Sequence, residues 1–154
     1  MLRLAQGVHE PTHLVDAHIT LGNVLFFLGE LDAARRHLEQ GIVFYRSLHC
    51  SHGRINSTYR VVFGLSRLAQ VLWLRGYPDQ ALQRSQEELM LAREWSDPFH
   101  VATALVFAAE IHCRRREGQR TYAQAEAARV LADEQGFAFR LAQATMLRGW
   151  ALVE

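Results

Sequence analysis

Apolar residues recur at three- and four-residue steps along most of the chain, which is the period of one face of an α-helix. The first such stretch runs from Thr12 to Leu28, and its apolar positions are Leu14, Ala17, Leu21, Val24, Leu25 and Leu28. Pro11 suits the first turn of this helix, and Gly29 can adopt the left-handed conformation that ends one. A second helix is predicted from Glu30 to Tyr45, with Leu31, Ala34, Leu38, Ile42 and Tyr45 on its apolar side.

The same succession of apolar-faced segments and short connectors continues to the end of the sequence. It predicts further helices from Ser57 to Arg75, from Pro78 to Trp95, from Pro98 to near Gly118, from there to Gln135, and from Phe137 to Glu154. Connectors of two to four residues make neighbouring helices pack antiparallel. We therefore predict an all-α fold, a right-handed α-solenoid of about three helix pairs plus an additional C-terminal helix. We expect one domain over residues 1–154, with units at about 11–45, 57–95 and 97–135 and a partial unit at 137–154.

Three segments align with one another on a glycine and on an alanine five places later. They are Gly29–Ala34, Gly76–Ala81 and Gly118–Ala123. The glycine makes the turn inside a helix pair, and the small alanine lets the two helices approach closely. Together with Leu21-Gly22 ahead of the first turn, this arrangement resembles the tetratricopeptide repeat. The turn glycines lie 47 and 42 residues apart, which is more than the ~34 of a regular repeat.

The counterpart of Leu21-Gly22 in the third unit depends on how that unit is aligned. Alignment on the glycine places Glu110-Ile111 there, whereas a shift of one helical turn places Phe107-Ala108 there. We adopt the shifted register because an apolar residue followed by a small one packs better against a partner helix.

A closer resemblance is carried by the residues Leu21–Glu30, Leu38–Ile42, Leu72–Ala81 and Leu147–Ala151. These segments are similar to the C-terminal repeat region of large bacterial regulators, in which a nucleotide cyclase or kinase domain and a predicted ATPase domain precede the repeats. The resemblance implies a sensory or scaffolding arm of a bacterial signalling regulator, which binds protein and associates with the ATPase or cyclase domains. The cyclase and ATPase residues themselves are absent from this sequence.

The composition narrows the chemistry that the chain can perform. All 17 basic residues are arginine, which excludes a phosphate-binding loop with its lysine and a Schiff-base lysine. No dinucleotide-binding glycine pattern, nucleophile elbow or metalloprotease motif occurs. The net charge of +1 gives no general attraction to nucleic acid or to anionic lipid. We therefore predict a cytoplasmic protein without catalytic residues or cofactors, and without nucleic-acid or membrane partners.

Three candidate metal ligands stand close together at His49-Cys50-Ser51-His52, in a predicted loop from Arg46 to Asn56. A zinc site needs four ligands, and the remaining thiol, Cys113 beside His112, lies far away in the sequence. We predict a solvated loop and no metal; the alternative is a structural metal if the loop folds over the helices. A Cys-His nucleophile is less favoured still, because nothing in the sequence lowers the thiol pKa or orients a base.

Two further groups of polar residues admit a structural and a functional interpretation. His9, His13, His18 and an outward-facing His37 are ordinary surface imidazoles or, alternatively, part of a pH-sensitive interface. Arg114-Arg115-Arg116 stabilise the C-terminal end of a helix dipole or, alternatively, bind a carboxylate of a partner.

The inner faces of the first helices of the pairs line the concave surface in stacks of this kind, where peptides bind. Helical geometry predicts that this face contains Asn23, Phe27, Arg67, Gln70, Trp73, Leu74, His112 and Arg116. Aromatic rings with amide and guanidinium donors suit a peptide or a short acidic tail, so we predict a protein-binding scaffold. The alternative is a small-molecule-sensing regulatory domain that binds its ligand through Arg67, Gln70, His112 and Arg116.

Neither end of the sequence has a polar capping helix, which a stack of helix pairs needs for solubility. The apolar residues that would stay exposed are Leu2, Leu4, Leu147, Trp150 and Leu152. We therefore predict a homo-oligomer or an association with the rest of a larger regulator.

Overall fold

The computed structural model describes residues 11–52 and 58–154, with side chains described over 12–48 and 59–154. These residues form seven helices and no strand. The helices are α1 (Pro11–Phe27), α2 (Leu31–His52), α3 (Thr58–Leu74), α4 (Pro78–Trp95), α5 (Pro98–Arg114), α6 (Gly118–Glu134) and α7 (Ala138–Ala151). The predicted all-helical architecture of helix pairs with an additional C-terminal helix is confirmed.

The chain divides into two compact units, Met1–Tyr77 with α1 to α3 and Pro78–Glu154 with α4 to α7. In the first unit α1 packs against α2 and α3. In the second unit α5 packs against α4, α6 and α7, and α6 also packs against α7. The prediction of one repeat domain over residues 1–154 stays a prediction.

Ile19 on α1 lies between two glycines at the centre of the first unit. A Cβ added to Gly41 on α2 would lie 2.8 Å from Ile19 Cδ1, and one added to Gly64 on α3 would lie 2.6 Å from the same atom. Both distances are shorter than a normal Cβ contact, so glycine lets α2 and α3 both reach α1 here. This junction holds α1 beside α3, and these two helices carry the candidate site.

Alanine contributes most of the residues in the buried cluster of the second unit. The buried cluster consists of Leu105, Val106, Ala109, Ala125, Ala128, Ala144 and Leu147. On α6 the buried positions are Thr121, Ala125, Ala128 and Ala132, so this helix lies close to both α5 and α7. The expectation that Leu147 is exposed was wrong, because this side chain packs into the core, while Leu152 is exposed as expected.

The turns inside the helix pairs share one backbone structure, and a glycine is not always at its centre. Gly29 and Gly76 both have φ of 80°. The equivalent residue after α5 is Arg116, with φ of 57°, whereas Gly118 is the first residue of α6. The amide of the next residue donates to the carbonyl five positions back at each of these turns, for example Glu117 N to His112 O at 3.0 Å. The prediction that Gly118 makes the turn was therefore wrong by two residues.

This shift changes which small residue lies at the helix contact. Ala34 and Ala81, five positions after their turn glycines, are completely buried as predicted. Their counterpart after Arg116 is the buried Thr121, and the predicted Ala123 is exposed.

The register of α5 differs from both predicted alternatives. Counted back from Arg116, the pair equivalent to Leu21-Gly22 is Ala108-Ala109, one residue beyond the predicted Phe107-Ala108. Both alanines are buried. A small residue therefore lies at this helix contact as predicted, but one position later in the sequence.

Helix α2 ends seven residues later than predicted, at His52 instead of Tyr45. No glycine or proline occurs between Tyr45 and Gly53, so nothing local interrupts the helix. The backbone of His49-Cys50-Ser51-His52 therefore belongs to α2, and the predicted loop over these residues was wrong. Their side chains, and with them the metal question, lie outside the described residues.

Candidate functional site

Arg67 on α3 joins four of the predicted site residues into one cluster with α1. Its Nε donates to Asn23 Oδ1 at 2.8 Å, and its Nη1 donates to Gln70 Oε1 at 2.6 Å. The guanidinium lies over two rings of α1, 4.3 Å from the centroid of Phe26 and 4.7 Å from that of Phe27. These four contacts, two with amide oxygens and two with aromatic rings, hold the guanidinium in one orientation.

Apolar side chains surround this cluster. Phe27 is 70% exposed and Leu74 is 60% exposed. Leu74 follows Arg67 and Gln70 on one stripe of α3, at steps of three and four residues, and Trp73 borders it half-buried. We call the surface made by Asn23, Phe26, Phe27, Arg67, Gln70, Trp73 and Leu74 the α1–α3 face. It combines one oriented cation with exposed apolar area, which suits a peptide.

The second unit contains a similar arrangement that the sequence analysis missed. On α7, Arg140 Nη1 donates to Gln143 Oε1 at 2.7 Å. Its guanidinium lies between 5.4 and 5.8 Å from the ring centroids of Phe99, Phe107 and Phe139. In both units an arginine of one first helix therefore stacks on two phenylalanines of the first helix before it, and Arg140 also stacks on Phe139 of its own helix.

A repeated tetrapeptide in the sequence indicates the similarity between the two arginine sites. Arg-Leu-Ala-Gln occurs at Arg67–Gln70 and again at Arg140–Gln143, and both copies form the same Arg–Gln hydrogen bond. A third copy at Arg3–Gln6 lies outside the described residues. The two described copies differ in exposure, since Arg67 is half-buried and Arg140 is only 9% exposed.

A family model of the tetratricopeptide repeat matches residues 15–40 and 63–87. Each match begins in the first helix of a pair, passes through Gly29 or Gly76, and ends in the next helix. The chain carries a tetratricopeptide-like repeat region. Tetratricopeptide repeats mediate protein–protein interaction and are typically non-catalytic. No curated protein matches the chain at a significant level.

The remaining two predicted site residues of the repeat region do not lie on an open helix face. The side chain of His112 is buried, and its Nδ1 is 2.6 Å from Glu117 Oε2. Arg116 lies in the turn after α5, where its Nη1 is 3.8 Å from Glu154 Oε1. Both placements correct the prediction: Arg116 lies beyond α5, which ends at Arg114, and His112 occupies a buried position of that helix.

Glu117 is the centre of the charged residues at this turn. Arg115 Nε donates to Glu117 Oε1 at 2.8 Å, and Arg115 Nη1 also pairs with Asp79 at 3.0 Å. The hydrogen bonds from Arg115 and then His112 lower the pKa of Glu117 to about 2. Arg115 thus pairs with carboxylates of this chain. Arg114 does the same, since its Nη2 lies 3.4 Å from Glu110 Oε2. Arg114 and Arg115 are thus engaged within the chain, and both the helix-dipole interpretation and its partner-binding alternative stay predictions.

A small open groove of about 590 Å³ lies between the start of α6 and the end of α7. Its lining includes Arg116, Tyr122 and Leu152.

The four residues predicted for ligand sensing are divided between the two units. Arg67 and Gln70 belong to the first unit, and His112 and Arg116 belong to the second.

The thiol chemistry considered for Cys113 has no support in its surroundings. Burial raises the pKa of Cys113, which keeps the thiol protonated and unreactive at neutral pH. The neighbouring imidazole of His112 is directed to Glu117. Over residues 12–48 and 59–154, no three His, Cys, Asp or Glu side chains are grouped as a metal site would require.

His37 is half-buried rather than outward-facing, which corrects the prediction. Its Nδ1 lies 3.1 Å from Nδ1 of His18, and the ring of His18 also contacts Phe44. Burial, and then the neighbouring His37, lower the pKa of His18; burial, and then Arg36, lower the pKa of His37.

None of the helices in the described part of the chain has the length and hydropathy of a membrane-spanning segment.

Proposed function

We propose that this chain is a non-catalytic module that binds a partner protein through the α1–α3 face. The observation that supports this proposal is the position of Arg67, which is oriented by Asn23 and Gln70 and lies beside the exposed Phe27. The bound element is an extended or helical segment in which a carboxylate neighbours an apolar side chain.

The side chains of the α1–α3 face are suited to a segment with a carboxylate beside an apolar residue. A guanidinium binds a carboxylate through two parallel hydrogen bonds, and it keeps its charge at any physiological pH. Because its side chain is held in place before binding, little rotamer entropy is lost when the partner docks. Phe27 and Leu74 offer the apolar area that gives such an interface most of its free energy.

A phage-displayed library of random peptides tests the proposal and requires no particular partner protein. Peptides selected on the wild-type protein should carry Asp or Glu close to an aromatic or aliphatic residue. Their binding should be lost in the Arg67→Glu variant and kept in Arg36→Glu, which makes the same charge change at an exposed position of α2. Selected peptides that bind both variants equally would refute the choice of the α1–α3 face.

We further propose that the module acts as the repeat arm of a bacterial signalling regulator in the cytoplasm, associated with its ATPase or cyclase domains. The resemblance of Leu21–Glu30 and Leu72–Ala81 to such repeats supports this assignment. The coding sequence that surrounds these residues tests it directly. An ATPase or cyclase domain encoded on the same polypeptide, or beside it, is the expected finding, and an unrelated neighbourhood would contradict the assignment.

A further inference from the structure

The exposed side of α7 carries no charged residue. Its exposed positions are Ala138, Phe139, Ala142, Thr145, Met146 and Gly149. The charged residues of the helix are directed elsewhere: Arg140 is buried, and Arg148 Nε pairs with Glu126 at 2.7 Å. In a chain with 21% charged residues, a solvent-facing helix side without charge marks an interaction surface.

The apolar positions of this side form one narrow stripe. Phe139, Ala142, Met146 and Gly149 follow one another at steps of three and four residues, which is the spacing of a helix–helix seam. We call these four residues the α7 stripe. Phe139 is 70% exposed and Met146 is 66% exposed, so the stripe has no partner among residues 12–48 and 59–154.

No contact in the described part of the chain explains why a glycine occupies position 149. It lies inside α7 without a positive φ, and no atom lies within 4 Å of where its Cβ would be. A glycine destabilises a helix interior relative to alanine. Its small size becomes useful if a bulky side chain from another molecule lies against it.

We propose that a second copy of this chain packs antiparallel on the α7 stripe, about a two-fold axis that passes near Ala144. In this register Phe139 lies opposite Gly149 of the partner subunit, and Met146 lies opposite Ala142 of the partner subunit. Each large side chain of the helix thereby faces a small one, and the symmetry repeats both contacts. Such self-complementarity is what an isologous dimer requires, and the uncharged stripe meets its own copy without repulsion.

Light scattering coupled to size exclusion, over micromolar concentrations, tests the dimer. We expect the wild-type protein to be a dimer and Met146→Glu to be a monomer, with the dissociation constant raised by at least about tenfold. Met90→Glu is the matched control, because Met90 is 61% exposed on α4 and lies off the stripe. A wild-type protein that is monomeric throughout, or a Met90→Glu variant that dissociates equally, would overturn the proposal.

Gly149→Leu separates loss of the dimer from loss of the fold. Leucine is a better helix former than glycine, so circular dichroism should show a helix content at least equal to that of the wild type. Its bulk meets Phe139 of the partner subunit, so the variant should be monomeric. A dimeric, well-folded Gly149→Leu protein would contradict the α7 stripe as the interface.

Disulfide trapping tests the register. In a background with Cys50 and Cys113 replaced by alanine, an equal mixture of Ala142→Cys and Met146→Cys chains should cross-link more than either chain alone. Equal cross-linking in all three samples would exclude the antiparallel register. The α7 stripe belongs to the second unit and the α1–α3 face to the first, so either proposal can fail without the other.

Discussion

Gly22 on α1 lies directly against Leu38 on α2. A Cβ added to Gly22 would lie 2.6 Å from Leu38 Cγ and 3.1 Å from the Leu38 backbone nitrogen. Because a backbone atom is involved, a rotamer change of Leu38 alone cannot make room for a larger residue. The first helix pair of the repeat region is therefore built around a close approach at this glycine.

We predict that Gly22→Ala lowers the free energy of unfolding of the first unit by about 1–3 kcal/mol, because the added methyl group overpacks the contact with Leu38. Gly118→Ala is the control, since its nearest side-chain neighbour, Glu154 Cβ, is at an ordinary distance of 3.6 Å. Urea denaturation followed by circular dichroism measures both. Equal stability of the two variants would show that the close approach is not required.

Glu117→Gln should destabilise the second unit at neutral pH by no more than about 1 kcal/mol, since the carboxylate is partly exposed and its ion pairs are screened. The folded protein lowers the pKa of Glu117 to about 2, below the ordinary value of 4.5. The stabilisation is thus complete above pH 4.5 and is lost as the pH falls towards 2. Denaturation at pH 7 and pH 3, with the exposed Glu134→Gln as control, measures the effect. A difference from wild type that grows on acidification would contradict it.

The imidazoles of His18 and His37 should titrate below 6.5 in the folded protein. A basic group with a lowered pKa is protonated more readily in the unfolded chain, so the first unit loses stability as the pH falls below 6.5 and keeps it above. NMR titration of the imidazole C–H signals measures both midpoints, and His37→Gln should raise that of His18. Midpoints at or above 6.5 for both residues would disprove the burial-based account.

Removal of Arg140 should destabilise the second unit by about 3 kcal/mol, because the buried carboxylate of Glu88 then loses a nearby positive charge. Glu88 and Glu110 both raise the pKa of Arg140, although burial, the largest influence, lowers it overall. Thermal denaturation of Arg140→Met, Glu88→Met and the double variant gives the coupling between the two sites. The double variant should be less destabilised than the sum of the single variants. Additive losses would show that Arg140 acts without Glu88.

Most of the fold could be predicted because helix periodicity and turn glycines are local signals. Gly29, Gly76 and Gly136 all adopt the left-handed conformation expected of them. Arg116 could not be predicted, since an arginine in this conformation is held by the hydrogen bonds of the turn and not by its own preference. The end of α2 was also missed, because excess length between two repeats was assigned to a loop although no residue there stops a helix.

The residues of the candidate site could be predicted only where their positions on a single helix determine which side chains share a face. Helical spacing places Arg67 and Gln70 on one stripe of α3. Arg67 contacts Asn23, which was predicted to share a face with it. Phe26 and the burial of Arg140 depend on how one helix packs on another, and a single arginine in a sequence looks like a surface residue. The partner-binding role of these residues stays a prediction.

Amide hydrogen exchange with and without a library-selected peptide tests most directly whether this repeat region binds its partner through the α1–α3 face. Slower exchange is expected over residues 23–28 and 67–74, with little change along α2. Protection confined to other segments, with none on α1 or α3, would contradict the account.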